Sequence, residues 1–299
     1  MEYIRFQLNV FNYKNFQKMN TLKILKYFLI IITGNFLISC SKDDNPIIEN
    51  ELNGLKLVTT LSNTTHKVEL YTLNGKLQTG FNNIFFQIKN TDGTTIDNAT
   101  ASWIPEMNMM SMKHSCPYSP ISKAKNSTST YTGFVVFQMA GSESEYWDLS
   151  LNYSINGKDY TVKDRISVVE ANRRVVESFQ GSDGKRYILA MVEPTAPKVA
   201  INDMKAVLYR MDGMMNFPVV DDYKIVIDPR MPGMANHSSP NNTDLVQGTD
   251  KMYQGKLSLT MTGYWKINLQ LFDAIGTVIK GEKVTETNEG SSIYFELEF

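Results

Sequence analysis

The sequence predicts an all-β chain built as two tandem immunoglobulin-like antiparallel β-sandwich domains. Three observations predict it. Apolar and polar residues alternate with a period of two along several segments. Turn dipeptides punctuate those segments at short intervals. An ordered series of residues recurs at an offset of about 120, near one domain length. Trp265, Ile267, Leu269 and Leu271 alternate with Lys266, Asn268 and Gln270, and Trp147, Leu149, Leu151 and Tyr153 with Asp148, Ser150 and Asn152. Leu257, Leu259 and Met261 alternate in the same way with Lys256, Ser258 and Thr260. The turn pairs are Asp92-Gly93, Asn156-Gly157, Asp183-Gly184 and Asp212-Gly213. Helical periodicity is nearly absent beyond the N-terminal segment.

Residues 1–39 read as an upstream extension followed by a signal peptide. Lys23 and Lys26 precede an apolar run from Tyr27 to Ile38, broken by Thr33, Gly34 and Asn35 and too short to span a bilayer. Leu37-Ile38-Ser39-Cys40 resembles a bacterial lipobox, which implies lipidation of Cys40 as the first residue of the mature protein. Met19-Asn20 is the more natural start for such a signal. Residues 40–53 form a polar tether. Its Ser41-Lys42-Asp43-Asp44-Asn45 resembles the export tag of Bacteroidetes lipoproteins. That resemblance implies a cell-envelope protein, lipid-anchored to the outer membrane and either periplasmic or surface-exposed.

The first sandwich is expected over residues 54–172 and the second over 173–299, with the join near Glu170–Gly181. After His114-Ser115-Cys116-Pro117 come Tyr131-Thr132-Gly133, Met139-Ala140-Gly141 and Trp147. After His237-Ser238-Ser239-Pro240 come Tyr253-Gln254-Gly255, Met261-Thr262-Gly263 and Trp265. Upstream, His66–Leu70 is set against Pro197–Ile201, and Asp92-Gly93 against Asp212-Gly213.

The formal net charge is −1, with acids and bases interspersed. That excludes the basic face that nucleic acid requires. There are two cysteines, so acylation of Cys40 leaves Cys116 without an intrachain partner. A lone thiol in an oxidising compartment must be buried or ligated. No phosphate loop, Ser-His-Asp pattern or HExxH motif marks a catalytic centre, so no enzyme activity is expected.

Soft metal ligands concentrate in two loops, which hold two of the three histidines. The first offers Met107, Met109, Met110, Met112, His114 and Cys116; the second offers Met231, Met234 and His237. Thioether, thiolate and imidazole suit Cu(I) better than hard cations, so copper is the expected cofactor. The loops are expected to be long exposed connections after strands ending near Ile104 and Ile227, a length that marks functional segments. Only neutral imidazole ligates, so affinity should fall as acid protonates the histidines. The competing reading is that methionine simply fills irregular gaps or coats a contact surface. Met139 and Met261 fall on the inward phase of their strands and read as core. Met211, Met214 and Met215 flank the Asp212-Gly213 turn, at the opposite end of their sandwich from its Met/His loop, and read as a local cap.

A methionine-rich run, a nearby histidine, Tyr-X-Gly, Met-X-Gly and a tryptophan-led strand together resemble the YtkA-like and FixH-like domains. The likeness runs from about Phe85 to Tyr153 and from Val207 to Phe272, and is better in the second module through Met231-Pro232-Gly233-Met234. It implies small extracytoplasmic β-sandwiches, some tied to copper supply or haem–copper oxidase assembly. The expected function is a membrane-anchored lipoprotein that sequesters or delivers copper through its Met/His loops, with a copper-transfer or oxidase-assembly partner. The alternative is a non-catalytic cell-surface interaction or adhesion lipoprotein with no metal.

Overall fold

Strand formation follows the alternating pattern through both halves of the computed structural model, which describes residues 50–299. The expected signal segment 1–39, the expected lipidation position Cys40 and the expected tether up to residue 49 lie outside the described residues. The first half forms β1 (Lys56–Ser62), β2 (His66–Thr72), β3 (Leu77–Gln78), β4 (Gly80–Asn90), β5 (Thr95–Ile96), β6 (Thr100–Asn108), β7 (Lys113–His114), β8 (Ser122–Lys123), β9 (Thr130–Phe137), β10 (Tyr146–Ile155), β11 (Lys158–Ile166) and β12 (Val168–Val169). The second forms β13 (Val176–Gln180), β14 (Arg186–Glu193), β15 (Ala200–Met211), β16 (Lys224–Met231), β17 (His237–Ser238), β18 (Thr243–Gln247), β19 (Tyr253–Leu259), β20 (Tyr264–Phe272), β21 (Val278–Lys280) and β22 (Tyr294–Glu298). Among the described residues the one helical element is a 3-10 turn at Pro232–Met234.

In the first half, a sheet ordered β1-β2-β4-β9-β8 faces a second ordered β11-β10-β6-β7. In the second half, β13-β14-β15-β19 and β16-β20-β21 form corresponding layers, bridged into one continuous sheet by β18. Each half has its own core. Trp147, Leu149, Leu151 and Tyr153 are buried in the first, and Trp265, Ile267, Leu269 and Leu271 in the second. Both are immunoglobulin-like antiparallel sandwiches, with inward residues alternating along each strand.

The two halves repeat in atomic detail. Trp147 Nε1 donates to the Met139 carbonyl at 3.0 Å, and Trp265 Nε1 donates to the Met261 carbonyl at 3.0 Å. Asn82 Nδ2 donates to the Gln78 and Gly80 carbonyls, and Asn202 Nδ2 donates to those of Lys198 and Ala200. The Tyr-X-Gly element is also explained. Tyr131 Oη accepts from the Ala99 amide at 2.9 Å, and Tyr253 Oη accepts from the Tyr223 amide at 3.2 Å. The glycine two residues on leaves room for crossing chain. A Cβ on Gly133 would lie 2.7 Å from the Trp103 ring, and one on Gly255 would meet the backbone carbonyls of Thr243 and Asp244.

These equivalences correct one alignment. Asn82 matches Asn202, so β4 corresponds to β15 and β2 corresponds to β14. His66–Leu70 therefore matches the start of β14, and Pro197–Ile201 matches the segment leading into β4. The copies differ most at their return strands. β11 pairs with β10 without interruption from Lys158 to Ile166. Its counterpart is split into β21 and β22, both paired with β20, by segment 281–293. That segment stays against the sheet through Ser291 Oγ, which donates to the Leu269 carbonyl at 2.6 Å.

The sandwiches meet through outward sheet faces. Phe81, Phe134 and Val136 of β4 and β9 cluster with Ile188, Ala190, Val207 and Tyr209 of β14 and β15, with Phe217 beside them. The runs Phe134–Phe137 and Tyr187–Met191 lose their alternation because both faces of those strands are covered. The crossing segment is gripped by the last strand. The Glu296 amide donates to the Arg174 carbonyl at 2.8 Å, the Arg174 amide donates to the Glu296 carboxylate at 2.8 Å, and Arg173 pairs with Glu298.

His66, the third histidine, belongs to the core of the first sandwich. It is buried, its Nδ1 lies 3.0 Å from the Tyr153 hydroxyl, and the Tyr160 ring stands edge-on at 4.6 Å. Desolvation, then the Lys158 charge, hold its pKa below the usual imidazole value. A depressed histidine costs stability only where the unfolded chain binds a proton that the native one refuses. Stability is therefore complete above about pH 6.5 and falls as pH drops below it. Urea unfolding at pH 7 and pH 5 should show this slope in the wild type. His66→Gln should flatten it; an unchanged slope would place its origin elsewhere.

Candidate functional site

Each ligand loop begins inside a strand. β6 runs past Pro105 to Asn108, and β16 runs past Pro229 to Met231. Both prolines are tolerated because their missing N–H faces the sheet edge, away from the partner strand. In the first module the Ser115 hydroxyl donates to the Pro105 carbonyl at 2.6 Å on that edge. In the second the Ser239 amide approaches the Pro229 carbonyl at 3.4 Å. The chain then doubles back as β7 or β17. In register, Met107 opposes His114 and Met231 opposes His237. The two sandwiches thus carry the same Met–His cross-strand pair, on equivalent strands.

This corrects the expected strand ends near Ile104 and Ile227: the strands reach Asn108 and Met231, and the connections begin with a short paired return. It also moves three predicted ligands inside. Met107 and Met231 are buried members of the two cores, and Cys116 is sealed in the first. Desolvation pushes the Cys116 thiol well above its usual pKa. Thiolate is the ligating form, so in this fold Cys116 is a small apolar core residue and not a ligand. Of the two fates open to a lone thiol, burial and ligation, this one has burial. Met107 and Met231 likewise act first as packing, as the thioether permits.

The remaining predicted residues sit at the surface. A tight turn is closed by the Met109 amide, which donates to the Met112 carbonyl at 2.9 Å. Met109 is half-buried against the core, Met110 is 91% exposed and Met112 is 46% exposed. His114 is half-buried, with its ring edge-on to Trp147 at a centroid distance of 5.7 Å. Its Nδ1 lies 2.8 Å from the Ser115 carbonyl. A carbonyl only accepts, so Nδ1 is the donor in this contact, which in the neutral ring leaves the lone pair on Nε2. Backbone orientation of this kind prepares an imidazole for metal binding. Nearby, Lys113 bonds Glu106 at 2.9 Å and holds its carboxyl below the usual range.

In the second module Pro232–Met234 forms the 3-10 turn, followed by Ala235 and Asn236 in the left-handed region. Met234 is 55% exposed and His237 is exposed. The turn is held by Asn236 Nδ2, which donates to the Glu289 carbonyl at 3.1 Å, and by Arg230, which forks onto Asp228 at 2.8 and 3.0 Å. A guanidinium stands here where the first module has Glu106, so the second site is the less hospitable to a cation.

Among the described residues no three His, Cys, Asp or Glu side chains converge on one point. A metal at the first loop would therefore rely on thioether sulfur with one imidazole, a donor set that fits Cu(I). Sequence reasoning missed one neighbour. The Ser115 amide donates at 2.7 Å to the carbonyl of Met214, in the Asp212–Asn216 turn of the other sandwich. From sequence Met214 and Met215 read as a local cap, since that turn lies far from the loop of its own module and no local signal tells which surface of the first module it meets.

No protein-family model and no curated protein matches the sequence. Among solved structures, the chain is similar to the native conformation of E. coli alpha-2-macroglobulin, determined by cryo-EM, at 11% identity and a TM-score of 0.23. The match covers 74% of this chain and 14% of that one, and a likeness at this level carries no argument about fold or function.

Proposed function

We propose that the chain is a membrane-anchored extracytoplasmic lipoprotein that binds copper as Cu(I) for sequestration or delivery, and that it is a binding protein and not an enzyme. One observation carries the reading: the imidazole of His114, oriented through Nδ1 and packed on Trp147, two residues along the chain from the exposed Met112. The repeat of the Met–His register pair at Met231 and His237 supports it. So do the lipobox-like segment ending at Cys40 and the likeness to YtkA-like and FixH-like domains. The first module is the principal site, with Met112 and His114 as direct ligands, Met109 and Met110 within the same turn, and Met107 beneath as support. Met234 and His237 form a weaker second site. Partners in this reading are the lipid anchor and a copper-transfer or oxidase-assembly protein.

The test is anaerobic competition between the full chain and a chromogenic Cu(I) chelator. The wild type should withdraw Cu(I) from the chelator, and His114→Gln combined with Met112→Leu should weaken this by about a hundredfold, the loss of two ligands. Equal competition by wild type and variant would remove copper from the account. The exposed methionines would then read as contact surface for another protein.

A further inference from the structure

We infer that the Cu(I) site of the first sandwich is completed across the module boundary by thioethers of Met214 and Met215, making one composite soft-metal site from two modules. This rests on the copper reading above and deepens it. The anchor is the 2.7 Å bond from the Ser115 amide to the Met214 carbonyl. Ser115 follows His114, is fully buried, and is tied on its other side to Pro105. The backbone beside the imidazole is therefore locked to the backbone of the methionine turn.

The turn itself is braced. The Asp212 amide donates to the Asn216 carbonyl at 3.0 Å, and Arg210 forks onto Asp212 at 2.5 and 2.7 Å. Phe217, just beyond, is packed in the apolar seam between the sandwiches. Both sides of the Ser115–Met214 bond thus rest on rigid strands, as a preorganised site requires.

Exposed methionines stand on both sides of that bond. Met214 is 47% exposed and Met215 49%, against 46% for Met112. Turn geometry does not ask for methionine; Gly, Asn, Asp and Ser are the residues that turns favour. The repeat supplies an internal control. The equivalent turn of the first module reads Asp92-Gly93-Thr94-Thr95, with threonines where the second has Met214 and Met215. Of the two copies, the one carrying methionine is the one that abuts a Met/His loop. Thioethers there add soft donors to His114 and Met112, which raises affinity and selects Cu(I) over hard cations.

The experiment uses the full chain with Cu(I) under anaerobic chelator competition, and Ag(I) as a redox-inert probe followed by NMR of methionine methyl groups. Met214→Leu with Met215→Leu should weaken Cu(I) binding at least about tenfold, with unchanged thermal unfolding. On Ag(I) addition, the Met112 methyl and at least one of the Met214 and Met215 methyls should shift together. If the His114→Gln and Met112→Leu variant binds weakly while Met214→Leu with Met215→Leu binds like wild type, the composite site is overturned and the copper reading stands. If wild type fails to compete at all, both fall. Should the double leucine variant unfold, the methyl shifts of the wild type decide: no movement at either Met214 or Met215 overturns the inference.

Discussion

Trp147→Ala is expected to destabilise the first sandwich by about 3–5 kcal/mol, the range for deleting a fully buried aromatic. The indole is completely buried, meets Phe137 at 4.9 Å in a T-shaped contact, and donates to the Met139 carbonyl. Its removal opens a cavity and strands that carbonyl. It also removes the surface on which the His114 ring rests. Two readouts should therefore move together: the urea midpoint falls, and Cu(I) affinity at the first site falls even where the protein remains folded. Trp265→Ala makes the comparison. It deletes the equivalent indole of the other sandwich and should cost a similar amount of stability. That indole lies in the other core and His114 rests on Trp147 instead, so first-site Cu(I) affinity should not follow. If Trp147→Ala unfolds readily but binds Cu(I) like wild type below its transition, His114 does not depend on the indole.

Gly255→Ala is expected to cost about 3 kcal/mol, the upper end of overpacking penalties, because the added methyl has nowhere to go. Its Cβ would meet the Thr243 carbonyl and lie 2.9 Å from that of Asp244, both backbone atoms of β18. β18 is the strand that bridges the two layers of the second sandwich, so relief would require parting that bridge. Gly133→Ala, at the equivalent position, should cost less. Its two nearest obstacles are side-chain atoms, the buried Trp103 ring at 2.7 Å and the Ser119 hydroxyl at 2.9 Å, and the nearest backbone atom, the Pro120 carbonyl, stands farther off at 3.1 Å. Urea unfolding of the two single variants tests the order. Equal costs would mean that the β18 backbone yields as readily as a side chain.

The sandwich architecture was legible because one face of most strands meets water. Where that holds, as in Trp265–Leu271, period-two alternation exposes the element directly. It was least legible where a face that ought to meet water is instead covered by the other module. Phe134–Phe137 and Tyr187–Met191 read as featureless apolar runs until the seam between the sandwiches explains them. Pro105 and Pro229 hid the ends of β6 and β16. A proline argues against a strand, and only the sheet edge, which the sequence does not mark, shows why these two are tolerated. That error placed Met107 and Met231 in loops when they lie in ladders. The histidine positions were legible from the repeat, but their pairing with those methionines needed the register. Cys116 had two readings from composition, burial or ligation, and burial in the first core is the one its place provides. Met214 could not be assigned from sequence at all, since the surface it touches lies about a hundred residues away along the chain.

The split of the last hairpin in the second sandwich shows how far one copy of a duplicated fold can drift without harm to the other. The detour through 281–293 leaves β20 and rejoins it in the same ladder, so the added chain costs only slow-growing closure entropy and no core contact. It has nevertheless changed its surroundings, since Glu289 now holds the loop around His237. The outer rim of the second sandwich is thus where the two modules part ways, while the first keeps a continuous hairpin there.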